Sequence, residues 1–176
     1  IIANTKKLAV DCKFDFDFTT HKNKKTFTGS AYEDKVTLRN LAMIGLGERY
    51  GEKNKVAFAR VEKELEIIDR LGFSAYFLIT WEMISFSLHR GYFHYGRGSG
   101  ANSVVAYCLK ITDVCPIELD LYFERFLNPQ RNSPPDFDID YSWKDRDHIY
   151  DHMFEKYGGN NRVALLGAMV TFQDRS

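Results

Sequence analysis

The chain is expected to fold as an α+β domain, with helices first and strands later. Between residues 34 and 108 the apolar side chains recur at intervals of three and four, the period of helices buried along one side. At residues 135–141 the period switches to two, in Pro-Asp-Phe-Asp-Ile-Asp-Tyr, as in a strand with one wet and one dry face. A length of 176 residues suits one domain, and 44% apolar residues with 14 Phe, 10 Tyr and 2 Trp suffice for a sizeable core. This composition excludes a disordered tail, a collagen-like repeat and a disulfide-stapled mini-protein.

Residues 1–32 are polar and irregular, with Lys22, Lys24 and Lys25 gathered before Gly29 and Ser30, and read as the end of a preceding domain and a linker. Residues 34–47 place Leu38, Leu41, Ala42 and Gly45 on one helical stripe that closes at a glycine. Phe58, Val61, Leu65, Ile68 and Leu71 mark an amphipathic helix stopped by Gly72. Residues 76–88 are apolar nearly all round, as a buried central helix requires. Residues 92–95 form a candidate short strand running into Gly96-Arg-Gly-Ser-Gly100, after which Ala101, Val104, Val105 and Cys108 share one helix face. Beyond the aspartate strand, Ser142-x-x-Asp145 is a helix start, with a buried stripe of Ile149, Tyr150, Met153, Phe154 and Tyr157 ended by Gly158 and Gly159. Residues 163–172, rich in strand formers, are expected to pair beside the aspartate strand.

The 24 basic and 24 acidic side chains cancel, so composition alone predicts no polyanion partner. Their distribution is uneven: residues 1–60 carry a net +5 and residues 132–157 a net −4. Cys12, Cys108 and Cys115 contain no Cys-x-x-Cys pair and suggest neither a zinc knuckle nor a disulfide framework, which fits a reducing, cytoplasmic setting. No apolar run approaches a membrane span. The opening Ile-Ile, with no charged-then-apolar leader, reads as an excised piece without a signal peptide.

The glycine loop is the first candidate for chemistry. Placed after a strand and opening a helix, it would offer backbone N–H groups and the positive helix end to a phosphate, with Arg97 adding a charge and Ser99 a hydroxyl. A plain turn is the alternative. Gly96-x-Gly98-x-x-Ala101 only loosely matches a dinucleotide fingerprint and lacks the second parallel strand a Rossmann fold needs.

The second candidate is sharper. Strict alternation puts Asp136, Asp138 and Asp140 on one strand face and Phe137, Ile139 and Tyr141 on the other. Two bare carboxylates about 6–7 Å apart repel by roughly 2–3 kcal/mol at an effective dielectric near 20. Such a face needs a counter-charge, and a pair of Mg²⁺ ions supplies one suited to phosphoryl or nucleotidyl transfer. A solvated edge strand is the alternative. His148 and His152, at i and i+4, share a face with Asp151 and Glu155 and read as surface residues rather than a chelate.

Gly96-Arg-Gly-Ser-Gly-Ala-Asn-Ser103, Val105-Ala-Tyr107, Ile111-Thr-Asp113, Phe123-Glu-Arg-Phe-Leu-Asn-Pro129 and Pro135-Asp-Phe-Asp-Ile-Asp-Tyr141 follow in an order and spacing that strongly resembles the C-family bacterial replicative polymerases, the DNA polymerase III alpha subunits. Leu71-Gly-Phe-Ser-Ala-Tyr-Phe-Leu-Ile79 and Arg162-Val-Ala add to a likeness covering residues 32–172. The resemblance implies a palm with the nucleotidyltransferase topology of DNA polymerase beta, its helices packed on a small mixed sheet. It also implies that residues 1–31 leave a preceding polymerase-and-histidinol-phosphatase domain, and that residues 32–176 are an incomplete palm, with thumb, fingers and a third catalytic aspartate further on.

By the same resemblance Asp136 and Asp138 are the catalytic residues and hold two Mg²⁺ ions, for which Mn²⁺ could substitute, with Asp140 in support. Arg97, Gly98 and Ser99 fall on the nucleotide-binding motif, and Arg125 and Arg131 flank the triphosphate. The implied reaction is template-directed extension of a primer 3′-hydroxyl by deoxynucleoside triphosphates. Primer-template DNA and, in a full chain, a sliding clamp are the implied partners, with no membrane, and the segment alone is expected to be inactive. The chain departs from the family pattern at Cys115, Gln130 and Tyr141, none of them a metal ligand. An Asp-x-Asp metal-dependent phosphatase and a non-catalytic nucleic-acid-binding module are the rival readings.

Overall fold

The computed structural model describes residues 1–12, 24–51, 53–128, 130, 135–159 and 163–165. Helix α1 (Ile2–Asp11) forms where irregular chain was expected, because Ala3, Lys6, Lys7, Leu8 and Ala9 are good helix formers; none of its side chains is buried. Ser30 caps α2 (Ala31–Tyr50) by accepting from the Glu33 amide, and the Asp34 carboxylate accepts from the Phe27 amide, the Thr28 amide and the Thr28 hydroxyl, each at 2.7 Å.

Helix α3 (Lys55–Arg70) starts at Asn54, whose side chain accepts from the Ala57 amide at 3.0 Å. Its buried stripe is Ala57, Val61, Glu64, Leu65 and Ile68. Phe58, expected in that stripe, is 46% exposed, because the spacing through Ala57 centres the core one residue earlier. Helix α4 (Ser74–His89) is the central helix, with Phe77, Leu78 and Ile84 fully buried. Helix α2 packs on α3, α4 and α5 (Val104–Cys108). At Gly45 the approach to α5 is backbone to backbone, for an added Cβ would run into the Cys108 carbonyl.

Strand β1 (His94–Arg97) pairs antiparallel with β2 (Asp138–Tyr141), placing His94 opposite Tyr141, Tyr95 opposite Asp140, Gly96 opposite Ile139 and Arg97 opposite Asp138. The expected strand over 163–172 is not found at residues 163–165, and the rest of it lies outside the described residues. Helix α6 (Arg146–Tyr157) begins later than Ser142, whose carbonyl instead accepts from the amides of Asp145 and Arg146 in a turn. No single helix among the described residues is long and apolar enough to cross a membrane.

The inner face of α6 differs from expectation. Ile149 is buried, whereas Tyr150 and Phe154 are each 39% exposed. His152, expected at the surface, stacks on Phe86 at 3.8 Å between ring centroids and bonds Glu82 at 2.7 Å. Glu82 also takes Lys156 at 2.7 Å and the Tyr157 hydroxyl at 3.3 Å, so one half-buried carboxylate on α4 decides which side of α6 turns inward. His148 is exposed and meets the Tyr92 hydroxyl at 2.9 Å through Nδ1.

Candidate active site

The wet and dry faces alternate without a break from Asp136 to Tyr141, with the three aspartates exposed and Phe137, Ile139 and Tyr141 half-buried. Phe137 is the pin that holds this strand. Its ring stacks on Tyr76 at 5.5 Å, meets Phe77 edge-on at 5.2 Å and lies against Phe126 at 4.8 Å. Each such pair contributes about 0.5–1.5 kcal/mol beyond simple burial. The Phe137 amide donates to the Tyr76 hydroxyl at 3.0 Å. Further along, the Tyr141 hydroxyl lies 2.8 Å from that of Ser87, which itself donates to the Met83 carbonyl. Burial raises the Tyr141 pKa, against a lowering pull from Ser87.

The glycine loop is brought onto this strand. Gly98 has φ +71°, and an added Cβ would stand 2.5 Å from Asp138 Oδ2; at Gly100 it would stand 2.7 Å from Phe137 Cδ1. Both carboxylate and ring therefore lean on glycine backbone, the close approach that only a missing Cβ allows. Thr112 ties the loop back to the core, its hydroxyl donating to the Gly96 carbonyl at 3.1 Å and accepting from the Val114 amide. Arg97 Nε donates to Asp140 Oδ2 at 2.8 Å, and Nη1 lies 3.7 Å from Asp138 Oδ2. The bond to Asp140, then the charges of Asp140 and Asp138, raise the Arg97 pKa above its ordinary value.

The expected continuous helix after the loop is broken. Gly98–Asn102 is a 3-10 turn, Ser103 is extended with φ −99° and ψ 122°, and its hydroxyl caps α5 by accepting from the Ala106 amide. The first amides of α5 do not face a phosphate site. Those of Val104 and Val105 donate to the carboxylate of Glu64, each at 3.1 Å, as does the Ser103 hydroxyl at 2.8 Å. Arg60 completes the set with Nε on Glu64 at 2.9 Å and Nη2 on the Leu121 carbonyl at 2.9 Å. Glu64 is fully buried, and burial pushes its pKa up against the lowering pull of Val105, Val104, Ser103 and Arg60.

Sequence reasoning missed Glu64. The signal was an acid inside the apolar stripe of α3, three residues after Val61, where a charge needs buried partners. Among the residues it did single out, Arg97, Gly98, Asp138 and Asp140 come together, and Asp136 continues their exposed face. Ser99 is half-buried, its carbonyl accepting from Asn102 Nδ2 at 2.9 Å. Arg125 is exposed in the 3-10 turn Phe123–Arg125, and among the described residues no ion pair joins it to the aspartates. Arg131 lies outside the described residues.

Three carboxylates share this face, and among the described residues Arg97 is the cation paired with them, through Asp140 and Asp138. Carboxylate oxygens are hard donors suited to Mg²⁺ or Mn²⁺. No group of three or more His, Cys, Asp or Glu side chains is disposed around a common metal position among the described residues.

Residues 36–176 match the family described as the bacterial DNA polymerase III alpha NTPase domain. The chain is 41% identical over 177 residues to the DNA polymerase III subunit alpha of Halalkalibacterium halodurans, covering 99% of this chain and 16% of that protein. Against the error-prone DNA polymerase of Symbiobacterium thermophilum the identity is 41% over 177 residues, again 99% of this chain and 16% of the relative. Against the error-prone DNA polymerase of Methylococcus capsulatus it is 36% over 178 residues, 100% of this chain and 17% of the relative. The chain thus spans about a sixth of the length of these relatives.

Proposed function

The chain belongs to the bacterial DNA polymerase III alpha family, and from that premise we propose that residues 32–176 form the palm of a template-directed DNA polymerase with a nucleotidyltransferase topology, residues 1–31 leading in from a preceding domain. The observation that carries this reading is the convergence of the glycine loop on the aspartate strand, with Gly98 against Asp138 and three carboxylates on one exposed face. The substrates are a primer-template and deoxynucleoside triphosphates, and the setting is the cytoplasm. In a full chain a sliding clamp is a further partner.

Asp136 and Asp138 would hold two divalent ions, Mg²⁺ or Mn²⁺, which when bound supply Lewis acidity toward the primer hydroxyl and the triphosphate. The chain's own part is positioning. Phe137 fixes the strand so that Asp136 and Asp138 point the same way. Gly98 lets the loop backbone sit against Asp138, and the Gly98 and Ser99 amides together with Arg97 would meet the phosphates there. By the family likeness, Arg125 and Arg131 would be further contacts for the triphosphate. Holding reactants in register in this way accounts for several kcal/mol of barrier, at 1.36 kcal/mol per tenfold in rate. With only Asp136 and Asp138 assigned as ligands, this segment on its own is expected to bind Mn²⁺ weakly and to extend no primer.

Primer extension by the full-length chain tests the reading. Asp138→Asn removes the ion-binding charge at constant shape and should abolish incorporation, while Asp147→Asn on α6, an exposed carboxylate away from the strand, should leave it intact. Near-normal extension by Asp138→Asn overturns the assignment. Hydrolysis of phosphomonoesters without primer extension would identify the Asp-x-Asp phosphatase instead. Steeply salt-dependent DNA binding with no extension under any metal would identify a non-catalytic nucleic-acid module.

A further inference from the structure

Arg97 stands in β1 opposite Asp138 and reaches diagonally to Asp140. Its two contacts are unequal. At 2.8 Å the bond from Nε to Asp140 Oδ2 is a charge-assisted hydrogen bond, whereas the 3.7 Å from Nη1 to Asp138 Oδ2 is beyond hydrogen-bonding range and purely Coulombic. A bond through Nε fixes the plane of the guanidinium, because the fork is rigid. Asp138, by contrast, is 48% exposed and leans on Gly98, and among the described residues no side-chain donor meets it at bonding distance.

We propose that Asp140 is the positioning residue for Arg97 rather than a metal ligand, and that Arg97 is a resident cation competing with divalent ions for the Asp138 carboxylate. The inference rests on the two-aspartate reading above. In the metal-free protein Arg97 supplies the counter-charge that lets three aspartates share one strand face, otherwise an unfavourable arrangement. A divalent ion at Asp138 repels the Nη1 end and leaves the Nε anchor on Asp140. The freed Nη groups then stay beside the loop at a fixed tilt, available to an anionic oxygen of a polyphosphate. Metal and polyphosphate binding are thereby coupled through one side chain, each favouring the state the other needs.

The experiment is a Mn²⁺ titration of the full-length polymerase chain followed by electron paramagnetic resonance, restricted to the site that Asp138→Asn abolishes. Parent, Arg97→Ala, Asp140→Asn and the double variant form a cycle. Removing the guanidinium should tighten Mn²⁺ by about three- to tenfold at low salt and by less at high salt. Arg97→Gln, which keeps a donor for Asp140 but no charge, should behave alike and guards against a folding artefact. Asp140→Asn alone should weaken Mn²⁺ severalfold, by releasing Arg97 onto Asp138, and the same change in the Arg97→Ala background should weaken it less. An equal or larger loss in that background makes Asp140 a ligand and overturns the inference, as does unchanged Mn²⁺ affinity on removing Arg97. Absence of any Asp138-dependent Mn²⁺ site in the parent overturns the two-aspartate reading itself, and this inference with it.

Discussion

Replacing Gly98 by alanine probes the contact on which the site depends. Two costs can be separated. The backbone at φ +71° is left-handed, which costs about 1–2 kcal/mol for a residue with a Cβ. The new methyl would also stand 2.5 Å from Asp138 Oδ2 and 3.4 Å from its Cγ, so the carboxylate oxygen must withdraw by about 1 Å to reach ordinary contact. Asp138 is 48% exposed and free to swing outward, so the side chain yields rather than the fold. Stability should fall by only about 1–2 kcal/mol, a drop of about 2–8 °C in Tm for a domain of this size. Misplacing a reacting group by 1 Å can cost about a hundredfold in rate. Differential scanning calorimetry and single-turnover primer extension on the same full-length variant should therefore disagree, with small thermal loss and near-complete kinetic loss. Extension within about threefold of the parent, at the expected stability, would show that Gly98 does not set the position of Asp138 and would refute the reasoning.

Other variants test the supports. Glu64→Ala strips two α5 amides, the Ser103 hydroxyl and Arg60 of their common buried partner, and should cost about 3–5 kcal/mol in urea unfolding; a loss under about 1 kcal/mol contradicts that role. Tyr141→Phe removes the hydroxyl facing Ser87 while Ser87 keeps its bond to Met83, so about 0.5–1.5 kcal/mol should be lost, with metal binding unchanged. Burial raises the Asp34 pKa, but the bonds from the Thr28 amide and hydroxyl and the Phe27 amide outweigh it and hold the folded value below the ordinary 3.8. Its stabilisation is thus complete above the unfolded pKa and lost as pH falls through the lower folded one; Asp34→Asn should lower stability at pH 7 and flatten this acid limb in denaturation curves.

The helices α2 to α4 and the strand were legible because each carries its own period. The alternation from Asp136 to Tyr141 sufficed to put three carboxylates on one exposed face. A short strand near residues 92–95 was legible too, though β1 runs from His94 to Arg97; its pairing with the aspartate strand was not, since residues 163–172 were expected there. What stayed hidden depended on distant partners. Glu64 stands out in sequence only as an acid inside the apolar stripe of α3, and only the fold brings Ser103 and the start of α5 to that carboxylate. The helix break at Ser103 follows from the same contact: with Glu64 and the Ser103 hydroxyl capping α5, the helix starts at Val104 rather than at Ala101. His152 misled because the polar residues around it suggested water, whereas Glu82 and Phe86 on α4 supply a partner and a stacking surface. Nor does spacing in the chain reveal that Arg97 bonds Asp140 across the diagonal; strand register does.

The central claim is that Asp136 and Asp138 together hold the ions that act on the nucleotide. Anomalous diffraction at the manganese edge tests it most directly, using the full-length chain with a primer-template ending in a dideoxynucleotide, an incoming nucleotide and Mn²⁺. Anomalous peaks are expected within about 2.0–2.3 Å of carboxylate oxygens of both Asp136 and Asp138, with Arg97 Nε still on Asp140. Manganese bound to the triphosphate with neither aspartate in reach would contradict it.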